Sequence, residues 1–456
     1  MSDWVKAALD GRTAPRRPTL AVLGWVGIGL CGLVALVYGL FAGGLGGLLL
    51  GLLFALLPVP LLIFAVLSLD RLEPEPTRNL VLTFVWGAAV AVVIALAIEF
   101  SVGLVAPNKL FGAAVVAPFA EELGKGLIIF LILHVRKTEL DGPTDGIVYA
   151  GMVGLGFAMS ENIVYYGTAL HQGAGSLIGT FVMRGIFSPL AHPLFTSATG
   201  IAMGYAALKR DTAARWLLPI AGVVVAMILH GLWNGATGTL GIIGLGAYYL
   251  LIMVPVLVAN ILIAYFDRKR ILGLMQPYLS AYIPAGVFHP DEIMLLSTMK
   301  ARRKLRRLMR DYQQAGTELA MLDDKAARGT AGPEYGPRRE ALVRLLMLSK
   351  RTFPGNEGIA RNLTEIEGTL PPPPRPKAPA GRPPMGPGPG YGPAPQGMPP
   401  QGPHQQGMPP QGPPPQQGRP PMQPMPGHQG QGQPPYGPPP GQRPPYGGQP
   451  GQQRPY

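Results

Sequence analysis

Between residues 19 and 266 long apolar runs alternate with short polar joints, and a run of about 20 apolar residues is what one helical crossing of a bilayer needs. Such runs fall at 19–41, 45–69, 79–105, 110–134, 146–167, 179–207, 216–236 and 241–266. They predict an all-α polytopic membrane protein with about eight transmembrane helices. The first two runs meet at Gly43-Gly44-Leu45-Gly46-Gly47, so their connection is a very short turn. Ahead of the first run stand Lys6, Arg12, Arg16 and Arg17, no small-residue cleavage site follows, and a second apolar run comes at once. That combination reads as a retained anchor rather than a removed signal peptide.

After residue 266 the pattern becomes that of a soluble segment. Ile293, Leu296, Met299, Leu305, Leu308, Met309 and Tyr312 recur at near-helical spacing across 291–312, among Lys300, Arg302, Arg303, Lys304, Arg306, Arg307 and Arg310. A second short helical pattern at 338–350 holds Leu342, Leu345, Leu346 and Leu348. From Pro371 onward there is no acidic residue, and Gly, Pro, Gln and Met dominate. Such a stretch cannot bury enough apolar area to offset its ordering entropy and is expected to be a disordered tail. The chain therefore divides into an N-terminal segment (1–18), a membrane domain (19–266), a basic helical region (267–370) and a Pro/Gly/Gln-rich tail (371–456).

Composition agrees with this division. The 62 Gly and 52 Pro sit beside a mean hydropathy of +0.23, two signals that one soluble globule cannot carry together. A single cysteine, Cys31, excludes an intramolecular disulfide framework and a Cys-based zinc site. The formal charge of +13 is explained mostly by place. Basic residues mark alternate joints: Arg71 and Arg78, Arg136 and Lys137, Lys209, Arg210 and Arg215, then Arg268, Lys269 and Arg270, whereas the intervening joints hold only Lys109. This asymmetry puts both termini in the cytoplasm and makes the number of crossings even. The basic segment 291–312, tethered near the bilayer, is expected to touch anionic lipid, each basic residue near the surface contributing about 1 kcal/mol. It lacks the interleaved aromatics that base stacking needs, and no nucleic acid is expected as a partner.

Charged groups inside the apolar runs are where function is sought, because a charge at mid-bilayer costs at least about 2.5–3.5 kcal/mol. The fourth run contains Glu121-Glu122-Leu-Gly-Lys125, the fifth Glu161-Asn162, the sixth His192 between Leu190-Ala191 and Pro193, and the seventh ends in His230-Gly-Leu-Trp233-Asn234. Residues three or four apart share a helix face, so Glu121 and Glu122 each meet Lys125, and His230 meets Asn234. Pro118, Pro189 and Pro193 interrupt the backbone ladder beside them, which a membrane tolerates where protein or water satisfies the freed carbonyls. A hydrated chamber shared by four helices is the expectation. Depth counting places Glu121, Glu122 and His192 near mid-bilayer, with Glu161, His230 and Asn234 toward the non-cytoplasmic side. Glu99 and His134, near run ends, read as interfacial, and Arg184 either pairs with a carboxylate or reaches the interface.

Peptide hydrolysis needs a base for water, donors for an oxyanion and a proton for the leaving amine. Glu121 or Glu122 can be the base, His192 can share or relay the proton, and His230 and Asn234 can donate to the oxyanion. Alternatively His192, His230 and a glutamate, Glu122, are three ligands of a zinc ion with an open fourth position. Both a metal-dependent and a metal-independent mechanism remain open from these residues. Buried acids and imidazoles also build ion relays, so a proton- or cation-coupled transporter is the competing class, and a membrane scaffold with a recruiting tail is a third. No half-and-half pattern of paired broken helices, a common transporter signal, is visible.

Glu121-Glu122-x-x-Lys125, Phe157-Ala158-x-x-Glu161-Asn162, the His192 segment and His230-x-x-Trp233-Asn234 together resemble the PrsW family of intramembrane proteases. Leu69-Asp-Arg-Leu-Glu-Pro-Glu-Pro76 and Asp145-Gly-Ile-Val-Tyr-Ala-Gly151 add to the likeness, which spans about residues 60–265. The resemblance implies a bacterial plasma-membrane metalloprotease, related to the type II CAAX prenyl endopeptidases of the CPBP superfamily. It implies a membrane-anchored protein substrate, such as an anti-sigma factor cut at its extracytoplasmic side. It also implies Glu121 as base with His192 as partner, and His230 with Asn234 at the oxyanion. Phe187 lies five residues before His192, one more than in the CAAX pattern, and Lys125 stands where that group has an arginine one position later.

Overall fold

The computed structural model describes residues 18–70, 72, 74–106, 108–135, 139–305, 309–350 and 371–374. Most of the N-terminal segment and of the expected disordered tail lies outside the described residues, as do Arg71, Arg136 and Lys137. Every regular element among the described residues is helical.

Among the described residues five stretches are long and apolar enough to cross a membrane: Val22–Leu67, Thr77–Val105, Pro143–His171, Ala174–Ala207 and Thr212–Tyr282. The first comprises α1 (Pro18–Leu56) and α2 (Val59–Leu67). The second comprises α3 (Thr77–Val85) and α4 (Val92–Val105), joined by a π-helical turn. A further helix, α5 (Ala117–Val135), follows the π turn Gly112–Val116 and carries the three charges of its middle, Glu121, Glu122 and Lys125. Next come α6 (Pro143–His171), α7 (Ala174–Phe181), α8 (Ala191–Ala207), α9 (Thr212–Tyr248) and α10 (Val254–Leu279).

Two of these stretches, 46 and 71 residues long, exceed what a bilayer needs, and each folds back at a glycine. Gly44 has φ +63°, a conformation that glycine adopts without steric cost. A methyl group on Gly39 would lie 3.3 Å from Leu48 Cδ1, although in one straight helix these residues would be about 13 Å apart along the axis. Gly241, at φ +55°, makes the second reversal. There Tyr248 donates from its hydroxyl to the Leu229 carbonyl at 2.5 Å, across what a straight helix would stretch to about 28 Å. The runs at 19–41 and 45–69, and at 216–236 and 241–266, are thus the arms of two helical hairpins.

The run expected as one helix over 179–207 is corrected. Helix α7 continues into a π turn, Val182–Phe187, and the chain then leaves helical geometry at Ser188 (φ −124°, ψ 35°) before α8 begins at Ala191. Pro189 removes a backbone donor there and disfavours helical geometry at the residue before it. Helix α6 is the hub, and most of its residues are buried. Its small residues let neighbours approach to backbone contact, as membrane helices do in place of a hydrophobic drive. A methyl on Gly146 would sit 1.9 Å from the Gly200 carbonyl oxygen of α8, and one on Gly156 1.9 Å from that of Phe84 in α3.

Helix α10 runs unbroken past residue 266 to Leu279 and enters a C-terminal helical part. Residues 291–312 do not form one helix, contrary to their spacing. They span α11 (Pro290–Leu296), α12 (Met299–Leu305) and the start of α13 (Arg310–Arg328), because the chain leaves α11 at Ser297 and turns. The expected pattern at 338–350 lies in α14 (Tyr335–Lys350). Met275, Leu279, Tyr282, Leu296, Tyr312, Leu319, Leu342 and Leu346 bury one another in its core, and Leu72 from the joint before α3 joins them. Polar contacts clamp this part to the membrane bundle. Asp267 accepts from Thr144 Oγ1 (2.7 Å) and Arg270 Nε (2.7 Å), and Lys325 Nζ lies 2.7 Å from Asp141 Oδ2.

Candidate active site

Helix α5 presents Glu121, Glu122 and Lys125 inward, and the ammonium of Lys125 is fully buried between them. Nζ lies 2.9 Å from Glu121 Oε2, 2.9 Å from Glu122 Oε1 and 3.0 Å from His192 Nδ1, so its three protons are all used. The ring of Phe157 lies beneath it, with the centroid 3.9 Å away. Glu122 is wholly enclosed: Thr196 Oγ1 donates to its Oε2 at 2.7 Å, and His230 Nδ1 lies 3.1 Å from its Oε1. Glu121 differs, because its carboxylate lines a cavity. His192 Nδ1 and His230 Nδ1 stand 3.7 and 3.9 Å from it.

His192 bridges the two halves of the cluster. Its Nδ1 accepts from Lys125, so Nε2 carries the proton and donates to Glu161 Oε2 at 2.9 Å. Glu161 in turn pairs with Arg184, whose Nε donates to Asn162 Oδ1 at 2.6 Å. His230 stacks on Phe195 with ring centroids 4.8 Å apart and lies edge-on to His192 at 5.1 Å. Three π-helical turns, at Trp86–Ala91, Gly112–Val116 and Val182–Phe187, adjoin this region, in keeping with the tendency of such bulges to lie at functional sites.

The structure thus joins Glu121, Glu122, Lys125, Glu161, His192 and His230 in one contact network. Asn234 stands apart from it. Its amide donates to the Ala113 carbonyl at 2.9 Å, although it lines the same cavity. Sequence reasoning missed Thr196, one helical turn after His192 and so on the same face, and left Arg184 unassigned. Glu99 is not merely interfacial, since it faces the cavity with Glu121 and Glu161. His134 is at a helix end as expected, with Nδ1 3.0 Å from the Phe130 carbonyl oxygen.

The cavity has a volume of about 600 Å³ and reaches from Glu121, Glu161, His192 and His230 to Asn108 and Lys109, at the joint between α4 and α5. It is therefore continuous with the end of the bundle that bears the lone basic joint residue. One ligand atom each from Glu121, Glu122, His192 and His230 lies within 4.8 Å of the others. Two imidazoles with carboxylates are a donor set that suits zinc. His192 has the posture of a metal-bound imidazole, one nitrogen toward the group and the other tied to a carboxylate. The set therefore fits a divalent ion in kind, provided that the Lys125 ammonium withdraws from the point it shares with the same donors.

Residues 75–260 match the family described as PrsW family intramembrane metalloprotease. Among relatives, Protease PrsW of Clostridioides difficile (strain 630) is 27% identical over 186 residues, covering 40% of this chain and 76% of the relative. Protease PrsW of Geobacillus kaustophilus (strain HTA426) is 30% identical over 172 residues, 36% of this chain and 69% of the relative. That of Shouchella clausii (strain KSM-K16) is 26% identical over 227 residues, 49% and 97% respectively. No solved structure matches. Apolar helices and these relatives define the class as a membrane-embedded protease. The chain belongs to the PrsW family. The transporter alternative finds no support in these relatives.

Proposed function

We propose that the protein is an intramembrane endopeptidase that cuts a membrane-anchored protein substrate, with Glu121 as the base that activates water. The observation that carries this assignment is the unequal exposure of the two adjacent acids: Glu121 faces the cavity, whereas Glu122 is sealed by Thr196, His230 and Lys125. A water in the cavity gives its proton to Glu121 as its oxygen attacks the scissile carbonyl, and Glu121 returns that proton to the leaving amine. His192, within 4 Å of the same carboxylate, is the partner that shares the proton, and Glu161 with Arg184 holds its ring. His230 and Asn234 line the cavity where an oxyanion would form. Lys125 fixes the separation of the two glutamates.

If zinc is bound, His192, His230 and Glu122 would hold it, and it would supply Lewis-acid polarisation of a water or carbonyl. We take the arms of both hairpins and four further spans as eight crossings; with the basic joints on the cytoplasmic side, this arrangement has both termini in the cytoplasm and the cavity mouth at the outer face of a bacterial plasma membrane. An anti-sigma factor anchored by one helix fits a site entered from that side. At the opposite end a hollow of about 380 Å³, lined by Arg302, Arg303 and Arg310 beside Leu72, favours contact of 291–312 with anionic lipid headgroups.

The test is cleavage of a single-pass substrate by full-length protein in liposomes. Glu121→Gln should abolish it, and undiminished cleavage by that variant would sink the assignment. Metal analysis together with chelation decides the zinc version: a metal-free, chelator-resistant protease removes it. For the lipid contact, hydrogen exchange across 299–314 should slow when phosphatidylglycerol is added. No change on adding it, or the same slowing after Arg303→Ala and Arg310→Ala, would refute the contact.

A further inference from the structure

A second cavity of about 220 Å³ meets the first at the reacting carboxylate. Glu99, Glu121, Glu161 and Tyr165 line both spaces. Beyond them the two differ in chemistry. The larger adds the polar groups of Asn108, Lys109, Arg184, His192, His230 and Asn234 to apolar walls that include Val102, Val116 and Trp233. The smaller runs between α1, α4 and α6 against Ala35, Ala95, Leu96, Phe157 and Val164. Tyr38, Ser160 and Thr168 also border it; the Ser160 hydroxyl donates to the Ala88 carbonyl at 2.7 Å and that of Thr168 to the Val164 carbonyl at 2.6 Å. An apolar void of about 150 Å³ is enough to bind benzene, so this one has room for a phenyl or isobutyl side chain.

We infer that the smaller cavity is a specificity pocket for one large apolar side chain of the substrate, phenylalanine- or leucine-sized, on a residue flanking the scissile bond. This rests on the assignment of Glu121 as base. A peptide whose carbonyl stands at Glu121 must send its flanking side chains into the adjoining spaces, and this one offers an apolar wall of Ala35, Ala95, Leu96, Phe157 and Val164. Its position between α1 and α4 also suits a substrate helix arriving from the lipid, whose residues are mostly apolar. Ala35 on α1 and Ala95 on α4 both line it. Enlarging either side chain narrows the pocket while leaving the polar cluster as it is.

The experiment uses the full-length protein in liposomes and a single-pass substrate whose residues on either side of the scissile bond are varied through Gly, Ala, Leu and Phe. The wild-type protein should cleave the Leu or Phe substrate with a kcat/KM about 10-fold or more above the Ala one, since methylene-sized differences in an apolar pocket are worth about 10- to 200-fold. Ala95→Phe should reverse that order, losing the large substrate and keeping the Ala one. Ala35→Leu, on α1, does the same should Ala95→Phe not fold. A wild-type protein indifferent to size, or folded variants with the wild-type order, overturns the pocket. Failure of the catalytic assignment reads differently, as cleavage that survives Glu121→Gln.

Discussion

Replacing Lys125 by Met removes an ammonium that touches two carboxylates and an imidazole at 2.9–3.0 Å, with no water-exposed surface of its own. Each charge-assisted contact contributes about 1.5–3 kcal/mol, but the contacts share one donor and do not add. What remains after the change is two buried carboxylates without a counterion, and breaking a buried pair in this way costs about 3–5 kcal/mol. Methionine fills nearly the same volume, so no cavity term enters. At about 2–4 °C per kcal/mol for a domain of this size, the thermal midpoint should fall by about 6–20 °C. Tryptophan-fluorescence melting in detergent measures it. The double variant Lys125→Met, Glu122→Gln should recover at least half of the loss, because glutamine is neutral and still accepts from Thr196. A midpoint unchanged within about 2 °C in the single variant, or no recovery in the double, would refute the placement of that ammonium at the centre of the cluster.

Thr196→Val keeps the shape of the side chain and deletes the hydroxyl that donates to Glu122 at 2.7 Å, so it should cost about 1–3 kcal/mol, read from the same melts. Gly146→Ala would put a methyl 1.9 Å from the Gly200 carbonyl and must push α6 from α8. Loss of folded yield is expected, and a variant with wild-type melting would contradict that contact. Burial pushes the Asp141 carboxyl up, but the Lys325 ammonium 2.7 Å away outweighs it and holds the group below the usual carboxylate range. A depressed folded value means that the clamp contributes fully above the unfolded pKa of about 3.9 and is lost as pH falls through the folded one. Hydrogen exchange at residues 141–146 and 320–328 should therefore accelerate below about pH 4, and Asp141→Asn should show that opening at neutral pH.

Much of the molecule is legible along the chain, because the free energy of moving a helix into lipid is nearly a sum over its own residues. That is why the apolar runs marked the helices, and why Glu121, Glu122, Lys125, Glu161, His192 and His230 stood out as costly exceptions. Local periodicity also paired Lys125 with both glutamates, since residues three and four apart share a face. The break at Ser188 and the helix Arg310–Arg328 escaped, since hydropathy is insensitive to a local φ and the last helix is held by tertiary burial of Tyr312, Leu319 and Leu322. Which of two neighbouring acids faces the cavity, that Arg184 holds Glu161, and that an apolar pocket opens beside Glu121 were decided only by the assembled bundle. Lys125 meets His192 across 67 residues of chain and Glu122 meets His230 across 108. Contacts at that separation depend on how helices cross, and no term local to a segment encodes a crossing.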